Sequence, residues 1–351
     1  MRASTQERSN VSVLAEHISD HLSVFVVAED TDVQRPANGG LRLLNYSDDA
    51  VCLADGKRLA GLMTNKHDLY GTGFAGGKIV ARAPEPNAVK EELINVTADL
   101  LHSLDGTMIT GCDLNTNLED MERLMALTPH VLAAVGSPID ASAATAHGTI
   151  GAAEAVLGGE LNAVDPGRAL VHGCGAVGGS VARTLLDHGW TVFCIDLDPR
   201  RAAIPGATPI QPDAPWWDLD LDLLLPCSVS GLITNEMSHR LRSRAIVPAA
   251  NAPFAHPPLA DELRRKGMVV LPDPLVNAGA VIADSIERFC PAAWRSARPN
   301  DVYKFVRLEV RNRARRFLQQ RDQGLTVDAA LKQVAAHPGL DPIGLSFGDA
   351  G

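Results

Sequence analysis

Apolar and polar positions along the chain follow two periods. Short runs rich in β-branched residues at 22–27 (LSVFVV), 40–45 (GLRLLN) and 78–83 (KIVARA) read as strands, while 49–65 and 86–103 carry the wider spacing of amphipathic helices. The first part of the chain is therefore an α/β layer domain. After the small, polar stretch 136–144 (GSPIDASAA) the order becomes regular. A helix at 145–157 leads into the apolar strand 169–172, a glycine turn, a helix at 177–188, and strand-like runs at 191–195, 221–225, 245–249 and 268–271. Such alternation predicts a doubly wound, mainly parallel sheet. An Arg-rich helix at 302–323 and a short one at 327–336 follow, with no internal repeat and no low-complexity tract.

The domain boundaries expected from this pattern are 1–138 for the α/β layer domain and 139–324 for the doubly wound domain, with a C-terminal helical tail at 325–351. A length of 351 residues with 46% apolar content is enough for two cores. The formal net charge of -10, from 42 acidic and 32 basic residues, gives no overall attraction for nucleic acid or an anionic membrane. A small-molecule partner is the expectation. The N-terminal residues lack the uninterrupted apolar core of a signal peptide, and no segment has the length and apolarity of a membrane span, so a cytoplasmic location is expected. Cys52, Cys112, Cys174, Cys194, Cys227 and Cys290 are dispersed, without a CxxC pair or a His at zinc-site spacing, so neither a disulfide framework nor a metal is expected.

The clearest local motif lies in residues 170–196, LVHGCGAVGGSVARTLLDHGWTVFCID. Gly173, Gly175 and Gly178 have GxGxxG spacing between an apolar strand and an amphipathic helix. The first permits a tight turn, the second lets a pyrophosphate approach the backbone, and the third allows close helix–strand packing. Ala176 and Val177 open the helix, whose N-terminal amides meet phosphate charge. Asp196 ends the next strand, where an acid accepts hydrogen bonds from ribose hydroxyls and repels a 2'-phosphate. NAD is thus expected in preference to NADP, although Arg200 and Arg201 close behind leave room for NADP. Packing of a strand–turn–helix alone would also account for the three glycines.

A second motif is LMTNKHDLYGTGFAGGKIV, residues 62–80. A lysine precedes a glycine-rich loop, and a second lysine stands at the head of the following strand. Lys66 and Lys78 can therefore face one pocket, with glycines admitting a small ligand close to the backbone. Two surface lysines beside a turn are the plainer explanation of this segment taken alone.

In order along the chain stand Gly39-Gly40 followed by Leu41-Arg42, then MTNK…GGK, CDLNTNLEDM, ATAHG, HGCGAVGGSVA, PCSVSGLIT, ANAPF and DPLVNAGAVI. This series, from about Gly39 to Ile282, resembles the glutamate, leucine, phenylalanine and valine dehydrogenase family, and its short leucine and phenylalanine branch in particular. The resemblance implies NAD-dependent oxidative deamination of an L-amino acid to the 2-oxo acid and ammonia, reversible as reductive amination, in a homo-oligomer, with 1–138 as the catalytic, substrate-binding and oligomerisation domain, 139–324 as a Rossmann dinucleotide-binding domain, and the tail 325–351 returning to the first domain. It implies that Lys66 binds the substrate carboxylate, that Lys78 is the catalytic lysine, and that Asp113 exchanges protons with the amino or imino nitrogen. Gly39 and Gly40 would lie against the substrate backbone, Asn277 would help hold its carboxylate end, and Thr145 and Asn251 would lie near the nicotinamide and its ribose.

Several residues depart from the family pattern. Asn38 precedes the glycine pair where the leucine and phenylalanine enzymes carry an apolar residue, which implies a polar wall around the substrate side chain; an outward-turned Asn in a turn explains it equally. His67 and His147 are either ligand-facing or structural histidines. Ala280 and Ala252 replace a glycine and an asparagine. Glu309, on the Arg-rich helix, either favours a polar or basic side chain together with Asn38 or lies on a solvated face, the commoner place for an acid amid so many arginines. Two rival readings are an alanine- or opine-type dehydrogenase and an NAD-binding homologue without activity. The two-lysine segment and the Asp113 loop argue against the first, and the presence of Lys66, Lys78 and Asp113 together argues against the second.

Overall fold

The structure, a computed structural model, describes residues 11–132, 134–336 and 340. Among these, residues up to 137, Asp284–Arg295 and Leu340 form one compact unit, and 138–283 with 296–336 form another.

The first unit is built on a six-stranded mixed sheet of β1 (Ser12–Ile18), β2 (Ser23–Ala28), β3 (Ala37–Asn38), β4 (Leu41–Leu44), β5 (Ala75–Arg82) and β6 (Met108–Ile109). Its order is β1-β2-β5-β3-β6, with β4 also paired to β5. β2 runs antiparallel to both β1 and β5, whereas β3 and β4 run parallel to β5. Every residue of β2 is buried, because both faces of the sheet are covered. Val24 and Val26 pack with Leu41, Leu43, Ile79 and Leu101, while Phe25 and Val27 meet Cys52, Leu59 and Ala60 of the helix Asp49–Tyr70. Asp48 caps that helix by accepting from the Val51 amide, and Gly71, at φ 57°, ends it.

The second unit carries β7 (Arg168–His172), β8 (Thr191–Ile195), β9 (Thr208–Pro209), β10 (Asp220–Pro226), β11 (Arg242–Ile246) and β12 (Val269–Val270). All pairings are parallel, in the order β12-β11-β10-β7-β8-β9. This is the doubly wound dinucleotide-fold order, with its topological switch between β7 and β10. The helices Ala141–Leu157 and Pro299–Asp322 of this unit pack closely together. Glu154, fully buried, receives two hydrogen bonds from Arg307 at 2.7 and 3.0 Å and one from the Leu161 amide at 3.0 Å. Arg307→Met would leave that carboxylate with Arg311 at 3.6 Å as its remaining cation. The variant is expected to lose about 3 kcal/mol of stability in a chemical-denaturation measurement.

Two expectations change. The helix Val327–Ala335 of the expected returning tail packs on Pro299–Asp322 in the second unit, while Leu340 beyond it belongs to the first unit, its amide donating to the Tyr70 carbonyl at 3.2 Å; Asp284–Arg295, expected in the dinucleotide-binding domain, also belongs to the first unit. The loop expected around Gly76 and Gly77 is instead the beginning of β5, and Lys78 lies inside that strand. The strand can run through these glycines because their bare faces lie against neighbours: a Cβ on Gly76 would stand 2.2 Å from the Thr64 amide nitrogen.

Candidate functional site

In the first unit, six of the singled-out residues are carried on adjoining elements. Asn38 ends β3, paired to Gly76 on one side and Ile109 on the other, and Gly39-Gly40 continue from it. No side chain fits on these two glycines. A Cβ on Gly39 would lie 1.8 Å from the Gly77 carbonyl oxygen, and one on Gly40 would lie 2.4 Å from that of Cys112. The two glycines thus form a bare strip between the strand bearing Lys78 and the loop bearing Asp113. Lys78, 6% exposed, places Nζ 2.5 Å from Asp113 Oδ2. Arg42 Nε donates to the same oxygen at 2.9 Å, while the Thr116 hydroxyl accepts from the Asp113 amide at 2.9 Å and fixes the loop. Asp55 holds the other side of Arg42 at 3.1 Å and accepts from the Tyr46 hydroxyl at 2.7 Å.

These charges set opposite tendencies in the two central groups. Burial would raise the Asp113 carboxyl, but Lys78 and Arg42 hold it down at about 2. Burial lowers the Lys78 ammonium below the usual lysine range, and Arg42 pushes the same way against the opposing pull of Asp113 and Asp55. The result is a permanently ionised carboxylate beside a lysine eased toward its neutral form.

Lys66, 8% exposed, lies in the last turn of the helix Asp49–Tyr70. The next residue, His67, is fully enclosed: Nε2 lies 3.4 Å from the Asn38 carbonyl and Nδ1 lies 2.7 Å from the Thr72 hydroxyl. Burial pushes His67 down to about 3. It is neutral, and since a carbonyl can only accept, Nε2 carries the proton. His67 therefore ties the helix end to the Asn38 strip, a structural role.

In the second unit, the glycine turn stands at the switch between β7 and β10. Gly173 has φ 93° and touches Ser228, and Gly178 packs on the Gly173 carbonyl so closely that a Cβ would come within 1.9 Å. A Cβ on Gly175 would meet nothing within 4 Å, leaving an open cradle at the N-terminus of the helix Ala176–Asp187, where Ala176 and Val177 are the first residues. Asp196 is held at both oxygens, accepting from the Cys174 amide at 2.8 Å and the Asp198 amide at 2.9 Å. Arg200 is bound to Asp198 through Nε at 2.9 Å and Nη2 at 2.8 Å.

Thr145, Asn251 and Asn277 belong to this same unit. The Thr145 hydroxyl accepts from the Ala280 amide at 3.2 Å. Asn277 Nδ2 donates to the Asn251 side-chain oxygen at 2.9 Å and to the Ala249 carbonyl at 3.1 Å, while its own Oδ1 is buried without a partner among the described residues. His147 stacks on Tyr303 with ring centroids 5.0 Å apart, and Glu309 lies 3.9 Å from Arg313 on its own helix. Neither is part of the first unit that carries Asn38. The sequence reading passed over two acids that are: Asp284 and Glu287. Arg42 was visible only as part of a motif, and nothing local marked Asp55 or Asp284. No helix among the described residues is long and apolar enough to cross a membrane, and none of their His, Cys, Asp and Glu side chains form a metal-holding group.

Comparison with known proteins follows the same division. Residues 19–130 match the Glu/Leu/Phe/Val dehydrogenase dimerisation domain, and residues 199–336 match the Glutamate/Leucine/Phenylalanine/Valine dehydrogenase domain. The chain is 30% identical over 280 residues to a valine dehydrogenase of Streptomyces coelicolor, covering 75% of this chain and 76% of that one. It is 29% identical over 268 residues to an L-tryptophan dehydrogenase of Nostoc punctiforme, covering 74% and 75% respectively. The crystal structure of L-tryptophan dehydrogenase from Nostoc punctiforme superposes with a TM-score of 0.72 at 26% identity, over 93% of this chain and 94% of that one. With ordered motifs, matching domains and relatives of this coverage, the chain belongs to the glutamate/leucine/phenylalanine/valine dehydrogenase family.

Proposed function

We propose that the protein catalyses the reversible NAD-dependent oxidative deamination of an L-amino acid to its 2-oxo acid and ammonia. The observation that carries this reading is the buried Lys78–Asp113 pair beside a strip of backbone no side chain can occupy. An α-amino acid laid on Gly39-Gly40 presents its carboxylate to a cation and its amino group to an anion. Lys66 is the cation in this assignment and Asp113 the anion. Among the described residues, Asp113 Oδ2 takes the hydrogen bonds from Arg42 and Lys78, which leaves Oδ1 for the substrate nitrogen.

The second unit suits NAD. The Gly175 cradle admits a pyrophosphate, and the Asp196 carboxylate, fixed by backbone amides, suits ribose hydroxyls and opposes a 2'-phosphate. Arg200, engaged by Asp198, is not free to attract one. Bound NAD supplies the hydride acceptor. Loss of hydride from the substrate α-carbon leaves an iminium that water must attack before ammonia departs. Neutral Lys78 takes the proton of that water, and Asp113, ionised throughout the neutral range, stabilises the positive nitrogen and relays its protons. The family match in residues 19–130 to a dimerisation domain supports assembly as a homo-oligomer.

The reading is tested by mixing the purified protein with NAD and a panel of L-amino acids at alkaline pH and following NADH formation. Turnover is expected with at least one of them, and with its 2-oxo acid, ammonia and NADH in reverse. Silence in both directions across the panel would overturn it.

A further inference from the structure

The end of β3 carries an unmatched set of acceptors. Asn38 is 2% exposed, and its Nδ2 donates to Asp284 Oδ2 at 3.2 Å. Among the described residues its own Oδ1, buried, has no hydrogen-bond partner. Asp284 and Glu287 are three residues apart on the helix Gly279–Phe289, hence on one face. Among the described residues Glu287 accepts one bond, from the Ala134 amide at 3.2 Å. Among the described residues neither carboxyl has a cation within ion-pair distance, and no positive charge stabilises either. Two carboxyls and one amide oxygen thus have two donors among them, Asn38 Nδ2 for Asp284 and the Ala134 amide for Glu287. A buried acceptor left in that condition costs about 1–3 kcal/mol, and a carboxylate more. Burial together with the neighbouring Glu287 pushes Asp284 up to about 8, and burial pushes Glu287 up to about 7. The missing component is a multi-donor cation.

Position says where that cation comes from. Asn38 directly precedes Gly39-Gly40, and two residues of backbone span at most about 7 Å. A substrate whose amino-acid head lies on the glycine strip, with its nitrogen toward Asp113, can send its side chain back along the strip toward Asn38 and Asp284. A spacer of three or four carbons brings a terminal charge to that point. The opposing alternative, an apolar side chain, would cover all three acceptors without supplying a donor.

Resting on the proposed activity, we infer that the substrate is a basic L-amino acid, whose side-chain ammonium or guanidinium is received by Asp284, Asn38 Oδ1 and Glu287. Asp284 is then the specificity-determining residue, and Asn38 positions its carboxylate.

The test uses the intact enzyme and two readouts. Calorimetric titration compares L-arginine with its neutral isostere L-citrulline, and L-lysine and L-ornithine with L-norleucine; NAD-dependent turnover is measured on the same panel. At least one basic amino acid is expected to bind, and to be turned over in kcat/KM, about 100-fold better than its neutral counterpart. Asp284→Asn, which keeps the shape and removes the charge, should cut that ratio by about 30-fold, and Glu287→Gln should cut it by a smaller factor in the same direction. Equal or better binding of the neutral isosteres by the wild-type protein overturns the inference whatever turnover shows. So does a ratio unchanged in Asp284→Asn. Failure of all turnover with basic-side-chain binding intact would instead remove the proposed activity and leave the charge recognition standing.

Discussion

Replacing Lys78 by Ala is expected to lower kcat for oxidative deamination by about 10³-fold, the size of a lost general base. NAD affinity, read by fluorescence titration, should change by less than about twofold, because residues that share no partners perturb each other little. Lys78 lies in the first unit and the glycine turn in the second. The two readouts separate chemistry from collapse: a variant that merely failed to fold would lose both. Turnover surviving within about tenfold of wild type would show that the proton is taken by another group. The lysine suits the task because burial lowers its ammonium while Asp113, 2.5 Å away, prevents it from falling so far that it loses basicity.

Asp113→Asn carries a second large effect, with a sign that can be worked out. The carboxylate both faces the substrate nitrogen and raises Lys78 against the lowering by burial and Arg42. Without its charge, kcat should fall by about 10²-fold. Lys78 should also become neutral at lower pH. Since deamination needs the neutral lysine, the rising limb of the kcat/KM profile is expected to move to lower pH by about one unit or more. A limb that stays put or moves upward would show that Lys78 is not the group titrating, or that Asp113 does not raise it.

Much of this was legible in the sequence, for identifiable reasons. β2, β4, β7, β8, β10 and β12 declared themselves through their apolar runs, β11 was expected three residues late, β9 with two residues went unread, and the turn at Gly173 declared itself through its GxGxxG spacing. β1 went unread because it is a half-exposed strand at the sheet edge, lacking a clean alternation. β3 and β6 have two residues each, too few for any period. The helix bearing Lys66 extends to Tyr70, beyond the expected end at Asn65, because Lys66, His67 and Asp68 break the apolar pattern while Gly71 supplies the actual stop. The roles at the site depended on family order, since the Lys78–Asp113 contact joins residues whose separation along the chain hides it. Asp284 was hidden more deeply still: it meets Asn38 across 246 positions. The polarity of Asn38 hinted at such a partner, and the acid first suspected, Glu309, lies in the other unit beside Arg313.

The bare strip at Gly39-Gly40 also bears on how such an enzyme can change over generations. Any single-codon departure from glycine adds at least one carbon, and at these two positions that carbon has a carbonyl oxygen within 1.8 or 2.4 Å. Drift is closed there. Asn38 and Asp284, in contact with each other beside the strip, already carry side chains. New substrate preferences should therefore arise by paired replacement at 38 and 284, with the surface that holds the amino-acid head left as it is.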